Sequence, residues 1–394
     1  MLARLRLLTA GESHGPQLTA VLDGMPAGLE VPTEAIDAEL ARRQRGYGSG
    51  GRMRIERDRV EITGGVMAGR TTGGPISLHV RNRDWENWRD REIEPMTRPR
   101  PGHADLTGAI KYGHRELRLS LERSSARETA ARVAAGAVCR LLLEEFGIRV
   151  GGYAVRIGSV ALDLPAVAHD HAYAARFTAA LENELACPDP GAAPAMRDEI
   201  KRCRKERDTL GGVLEVAALG LPPGLGSYAQ WDRRLDARIA GAMLSIQAMK
   251  GLEIGPAFHN AGRRGSQVQD EIMRDDDGRL YRPTNRAGGL EGGITTGAPL
   301  VVRVAMKPIS TTLEPRRTVD LATGEATGTT YERSDFCALP RAVPIAEAML
   351  ALVLADALLE KLGGDSVEEL RPRFDALRQA RTGDLPMDGE AWRF

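Results

Sequence analysis

Apolar positions along the 394-residue chain fall into two kinds of run. Three long stretches carry small and aliphatic residues at helical spacing. They are 126–146 (ARETAARVAAGAVCRLLLEEF), 232–250 (DRRLDARIAGAMLSIQAMK) and 344–362 (PIAEAMLALVLADALLEKL). Asp232 and Pro344 stand as start signals, and Gly147, Gly251 and Gly363 as stops. These helices are apolar around most of their circumference, so they are expected to lie buried between layers. Five shorter runs, at 17–23, 60–66, 75–81, 213–219 and 299–305, alternate or are rich in β-branched residues and are predicted strands. Residues 85–98, 185–200 and 260–285 read as loops, and 370–394 as a flexible tail.

The pattern repeats weakly. LTAVLDGMPAGLEV (18–31) is echoed by LEVAALGLPPGLGS (214–227), and TTGGPISL (71–78) by TTGAPLVV (295–302), in the same order. Gly and Pro punctuate many turns, but matched segments in order favour a duplication. The expectation is one α+β domain over 1–394, with two pseudo-repeat halves at about 7–205 and 206–365 sharing a core and placing a site at their seam. No G-x-G-x-x-G follows an early strand, so a Rossmann unit is unsupported.

Charge changes this picture little in bulk and much in detail. Basic and acidic residues balance at 54 each, which argues against binding to nucleic acid or membrane by net charge. Only six of the 54 bases are lysine, leaving 48 arginines. The four cysteines form no C-x-x-C pair, and free thiols in a reducing cytoplasm are expected. The N-terminal MLARLRLLTAGESHG has no apolar core of a secretory signal, and no uninterrupted apolar run reads as a membrane span.

The chemistry-bearing residues sit among glycines. His14 lies in TAGESHG and His103 in RPGHAD, where glycine permits close approach of backbone or ligand. Histidine titrates nearest neutral pH and suits proton transfer to a leaving oxyanion or a reduced heterocycle. Asp335 stands two residues from Arg333 in RSD. The loop ARRQRGYGSGGRMRIERD (41–58) brings Arg43 and Arg52 among four glycines, and arginine pairs bidentately with carboxylate and phosphate. In RSSARETAAR (123–132), Arg123, Ser124, Ser125 and Arg127 gather where a helix begins, a natural phosphate seat. KPIST (307–311) and GGLEGGITTG (288–297) offer backbone to a planar or phosphorylated ligand. H-E-x-x-H, paired-Asp spacings and G-x-S-x-G are absent, so neither a metal triad nor a serine nucleophile is indicated.

Taken in order, GESHG, RPGHAD…KYG, RSSARETAARVAAGA, DTLGG, TNRAGGLEGGITTG, MKPIST and RSD-C resemble the chorismate synthase family from about residue 7 to about 365. The resemblance implies a β-α-β sandwich built on a duplication, and a homotetramer. It implies a carbon–oxygen lyase that eliminates phosphate, 1,4 and anti, from 5-enolpyruvylshikimate 3-phosphate to give chorismate, using reduced FMN. That is the last common step of aromatic amino acid biosynthesis. By resemblance His14 protonates the departing phosphate, His103 protonates reduced flavin, and Asp335 takes part in removing the substrate hydrogen. Arg43, Arg52, Arg100 and Arg127 form the cationic set around the substrate. Flavin contacts carry over to Arg123, Ser124, Ser125, Gln247, Ala248, Gly292, Lys307, Pro308, Ile309, Ser310, Thr311 and Arg333. Ser49 stands where many members have arginine, at the position paired with Arg43 for NADP, so a nicotinamide contact is not expected to be intact. Nothing resembles a flavin-reductase domain, so reduced FMN is expected from an external reductase, with NADPH only an indirect reductant. A non-catalytic flavin- or phosphate-binding module would also explain the glycines, hydroxyls and arginines, but not two glycine-set histidines plus Asp335.

Overall fold

The computed structural model describes residues 2–48, 57–165, 167–331 and 335–393. Strands β1 (Arg6–Ala10), β2 (Gln17–Asp23), β3 (Val60–Gly64) and β4 (Ile76–Arg81) form an antiparallel sheet in the order β1-β2-β4-β3. A second antiparallel sheet holds β5 (Arg149–Ile157), β6 (Val160–Ala161), β7 (Gly212–Leu219), β8 (Met249–Ile254) and β9 (Leu300–Met306) in the order β8-β9-β7-β5-β6. The longer helices are α1 (Thr33–Gln44), α2 (Asp105–Tyr112), α3 (Arg118–Ser124), α4 (Thr129–Glu144), α5 (Asp170–Leu181), α6 (Ala193–Lys205), α7 (Leu235–Leu244), α8 (Leu339–Leu362) and α9 (Val367–Asp375).

The strand periodicity decides which face each sheet buries. Leu18, Ala20 and Leu22 of β2 and Ile76, Leu78 and Val80 of β4 are buried, while the residues between them are half-exposed or exposed. α4 packs on β2 and β4, α8 packs on β5 and β7, and the two helices pack on each other, flanked by α1 and α7. Two sheets with helices between them make the β-α-β sandwich. Gly136 marks the α4–α8 crossing: a Cβ there would stand 2.4 Å from the Ala348 Cβ, so only glycine admits this approach. β5 is buried on both faces, because α5 lays Phe177 and Tyr173 on its outer side. α8 is long and apolar enough to cross a membrane, which its sequence was not read to contain, yet its apolar stretch is entirely buried in the core.

The two sheets repeat one plan. Four strands run in the order first-second-fourth-third, a helix follows the second strand, and a long helix follows the fourth. The sequence echoes fall on equivalent atoms. The Thr71 hydroxyl accepts from Leu29 N (2.9 Å) and donates to Pro26 O (2.6 Å); the Thr295 hydroxyl accepts from Leu225 N (2.8 Å) and donates to Pro222 O (2.7 Å). By topology the division falls between Glu144 and Arg149, not at 205/206, because β5 already belongs to the second sheet.

Boundaries differ where tertiary contacts prevail. α8 begins five residues early, at Leu339, and Pro344 lies inside it. α7 ends at Leu244, not 250, and its N-cap is Arg234, with Asp232 in a preceding turn. Part of 185–200, read as loop, is α6, which buries Met196, Ile200 and Cys203 at i, i+4 and i+7. The supposed tail opens as α9, capped by the Ser366 hydroxyl and anchored by buried Leu370, and Leu280 N donates to Ala380 O beyond it.

Candidate active site

The long connection from β4 to α4, residues 82–128, carries both α2 and α3 and, of the predicted site, Arg100, His103, Arg123, Ser124, Ser125 and Arg127. Gly102 takes φ +77°, which turns the chain so that His103 enters ahead of α2. Asp105 is fully buried. It accepts from the Arg100 guanidinium (Nε, 2.8 Å) and lies 2.5 Å from His103 Nδ1. Burial raises its carboxyl pKa, but the hydrogen bonds from His103 and Arg100 prevail and hold it well below the usual range. Arg100 Nη1 donates to Thr311 (3.1 Å), and Ser310 Oγ donates to Gly102 O (2.9 Å), so the 307–311 loop closes over His103. Lys307 Nζ bonds Ser310 (3.1 Å), and Lys307 N bonds Ala248 O (2.9 Å). Ala248 is left-handed, φ +67°, which ends the α7 region and brings Gln247–Ala248 to this loop. Burial and the nearby Lys250 charge push the Lys307 pKa down.

His14, in the β1–β2 turn, is held by α3. Its backbone N–H donates to Glu122 Oε2 (2.7 Å), and its Nδ1 lies 2.8 Å from Glu122 Oε1. Its ring packs on Trp88 with centroids 4.2 Å apart. Ser125 Oγ bonds Ser13 Oγ (3.2 Å) and accepts from Arg127 N (3.3 Å). Arg123 Nη2 donates to Thr9 O and Oγ1, Thr9 donates to Glu128, and Glu128 accepts from Gln247 Nε2 (3.3 Å). Ser124 donates to Leu121 O, at the end of α3.

A third group lies deeper. Arg127 donates to Asn82 Oδ1 (2.8 Å) and to Asp58 Oδ2 (2.6 Å), and Asn82 ties back to Glu12 O and Gly15 O around His14. Arg43, at the end of α1, donates to Thr129 Oγ1 (3.0 Å) and Ala126 O (2.9 Å), with Nη1 3.6 Å from Asp58. Arg341 donates to Arg43 O (3.1 Å) and pairs with Asp335. Arg43 is buried, and its pKa is pushed down to about 9. Burial is the main cause, then the Arg341 charge. Asp58 opposes them, Arg127 adds to them, and Asp335 opposes.

Among the described residues, then, hydrogen bonds join His14, Ser125, Arg127, Arg43 and Asp335 into one neighbourhood. His103, Arg100, Lys307–Thr311 and Ala248 form another. The two meet through Gln247 and Glu128 on one side. On the other, Thr209 Oγ1 bonds Ile309 O and Leu210 N bonds Phe336 O. Pro308 and Ile309 contribute backbone to this loop. Gly292 is not brought there: its hairpin adjoins the start of α7, where Leu235 N bonds Gly293 O. Gln247 lies beyond the other end, and ten helical residues separate the two by roughly 15 Å. Ser49, Arg52 and Arg333 lie outside the described residues. Sequence reasoning missed Glu122, Asp105, Asp58, Asn82 and Arg341. Asp105 was visible two residues after His103; the others are sequence-distant partners.

A chorismate synthase family model matches residues 5–359. Chorismate synthases of Trichlorobacter lovleyi (55% identical over 387 residues, 94% of this chain and 98% of that one) and Desulforudis audaxviator (54% over 392, 96% and 100%) are similar to it. So is that of Aquifex aeolicus (53% over 384, 94% and 96%). A crystal structure of chorismate synthase superposes with a TM-score of 0.80 at 47% identity, covering 95% of this chain and 97% of its own. The agreement runs over nearly the full length, and the chain belongs to the chorismate synthase family.

Proposed function

We propose that this chain performs the anti-1,4-elimination of phosphate from 5-enolpyruvylshikimate 3-phosphate, giving chorismate, with reduced FMN as cofactor. The observation that carries this reading is the buried Arg43 set beside Arg127 and Arg341, its pKa pushed down by burial and then by the Arg341 charge. A multiply anionic substrate restores the balance, and fixed cations stabilise charge developing on leaving phosphate better than water does.

The residues fit a flavin. Gln247 Oε1 is buried without a hydrogen-bond partner, an acceptor suited to a ring N–H. The 307–311 loop and Ala248 present backbone beside it, and Lys307 and Arg123 supply cations. When bound there, reduced FMN would supply transient one-electron chemistry that leaves the elimination redox-neutral. The chain's own groups do the rest. Arg43 and Arg127 hold the substrate's anionic groups. His14 gives a proton to the departing phosphate oxygen. His103, clamped by Asp105 and Arg100, holds a proton on its imidazole, and Asp335 accepts the substrate's hydrogen as a proton.

The same reading includes supply of reduced FMN by an external reductase, a cytoplasmic setting and a tetramer of like chains. The four cysteines are free and buried, as a reducing compartment permits. Tyr228, Trp231 and Phe258 are each at least 75% exposed, apolar surface suited to a second copy. The test is anaerobic: protein, photoreduced FMN and substrate are mixed, and inorganic phosphate and chorismate absorbance are followed. Equal amounts of both are expected. Phosphate release without chorismate, or no release at all, would refute the reading, and turnover in air with NADPH and oxidised FMN alone would refute the external reductase.

A further inference from the structure

One carboxylate spends both of its oxygens on a single residue. Glu122 Oε2 accepts the His14 backbone N–H at 2.7 Å, and Oε1 faces the same residue's Nδ1 at 2.8 Å. The backbone of α3 adds a third tie, Ser13 N to Glu122 O at 3.1 Å. Trp88 bears on the imidazole at 42°, and the Arg118 guanidinium lies 5.7 Å from the Trp88 ring and 3.9 Å from Glu122. An ionised carboxylate only accepts hydrogen bonds. Glu122 is ionised: burial raises its pKa, but the hydrogen bond and charge of His14 prevail and hold it below its usual range. The proton at this contact therefore sits on Nδ1.

We propose that Glu122 is the positioning residue of His14: it fixes the Nδ1–H tautomer and the ring plane, leaving Nε2 as the nitrogen that exchanges a proton with the reactants. This rests on the elimination reading above. In each turnover the Nε2 proton passes to the phosphate leaving oxygen, Nδ1–H stays on Glu122, and Nε2 is reprotonated from solvent. Asp105 differs, because it divides itself between His103 and Arg100. Both hydrogen-bonding oxygens of Glu122 go to its histidine, with Arg118 only at ion-pair distance, 3.9 Å.

The test combines spectroscopy and kinetics. Magic-angle-spinning ¹⁵N spectra of histidine-labelled protein, with the His14 signal identified by its loss in His14→Gln, should show the Nδ1–H form in the neutral imidazole. Glu122→Gln should mix the tautomers and lower kcat on the order of 10- to 100-fold, with KM within about threefold, as when a proton-transfer group is misplaced. Glu122→Gln should add nothing to His14→Ala. An Nε2–H tautomer in the wild type overturns the proposal, and this measurement stands even if Glu122→Gln does not fold. A kcat within twofold of wild type, or a full additive loss in the double variant, also overturns it. If the wild type makes no chorismate, the elimination reading fails, while the ¹⁵N spectrum still decides what Glu122 does.

Discussion

Replacing Arg43 by methionine should stabilise the ligand-free protein while destroying its hold on the substrate. In the fold the guanidinium pKa is pushed down to about 9, chiefly by burial, so near neutral pH the charged form carries a penalty of about 5 kcal/mol relative to the unfolded chain. Methionine removes that penalty. It also removes hydrogen bonds to Thr129 Oγ1 and Ala126 O, at about 1 kcal/mol each. Ala126 O keeps its bond from the Thr129 hydroxyl, and Asp58 keeps Arg127. The net gain is about 3 kcal/mol. For 394 residues the unfolding entropy is roughly 0.8 kcal/mol/K, so Tm should rise by about 2–4 °C. The sign with pH is fixed. The penalty is complete below about pH 9 and declines above it as Arg43 loses its proton in the fold, so the gap between variant and wild type narrows there. Differential scanning calorimetry with and without inorganic phosphate is the assay. Wild type should gain about 2.7 kcal/mol at a hundredfold excess of phosphate over its dissociation constant, and Arg43→Met little or nothing. A Tm several degrees below wild type without phosphate would show that Arg43 is a structural cation and refute the reasoning.

Three further outcomes are expected. Thr71→Val and Thr295→Val each strand a buried N–H and a buried carbonyl, so each should cost about 1–3 kcal/mol by denaturant titration; costs differing by more than about 2 kcal/mol would deny the sites' equivalence. Gly136→Ala drives a methyl into Ala348 and should cost about 1–3 kcal/mol or more, and an unchanged Tm would contradict the close α4–α8 approach. His103→Ala should lower turnover on the order of 10²-fold while Tm changes by only a few degrees, and near-normal rates would remove this imidazole from the chemistry.

What the sequence disclosed follows from how local each cause is. Strand 17–23 is legible to the residue because its alternation matches a sheet with one buried face. β1 was not, because it is a five-residue edge with no fully buried position. β5 was not, because burial on both faces erases alternation and Gly151 and Gly152 interrupt it. The first two residues of β8 were absorbed into the helix expected over 232–250, since no local rule asks Ala248 to turn left-handed; Lys307 N bonds its carbonyl there. The site shows the same division. Glycine-set histidines can be read from short motifs, but Glu122 reaches His14 across 108 positions and Arg341 reaches Arg43 across 298.

Those long spans have one origin in the repeat. The fourth strand of each unit connects to its long helix through an extended excursion, 82–128 in the first and 307–338 in the second. The excursions meet each other. Thr311 accepts from Arg100, Ser310 donates to Gly102, Thr318 donates to Pro99 O at 2.6 Å, and Leu321 N donates to Thr97 O at 3.0 Å. His103, Glu122 and the 123–125 run come from one excursion, Lys307–Thr311 and Asp335 from the other. The equivalent helices α1 and α7 finish beside them, delivering Arg43 from one unit and Gln247–Ala248 from the other. A duplication places equivalent connections at one seam by symmetry. Divergence there is tolerated, because both cores remain covered by α4 and α8. One copy could therefore come to carry histidines and the other a lysine and hydroxyls, and the asymmetry of the chemistry is borne by excursions hung on two nearly equivalent scaffolds.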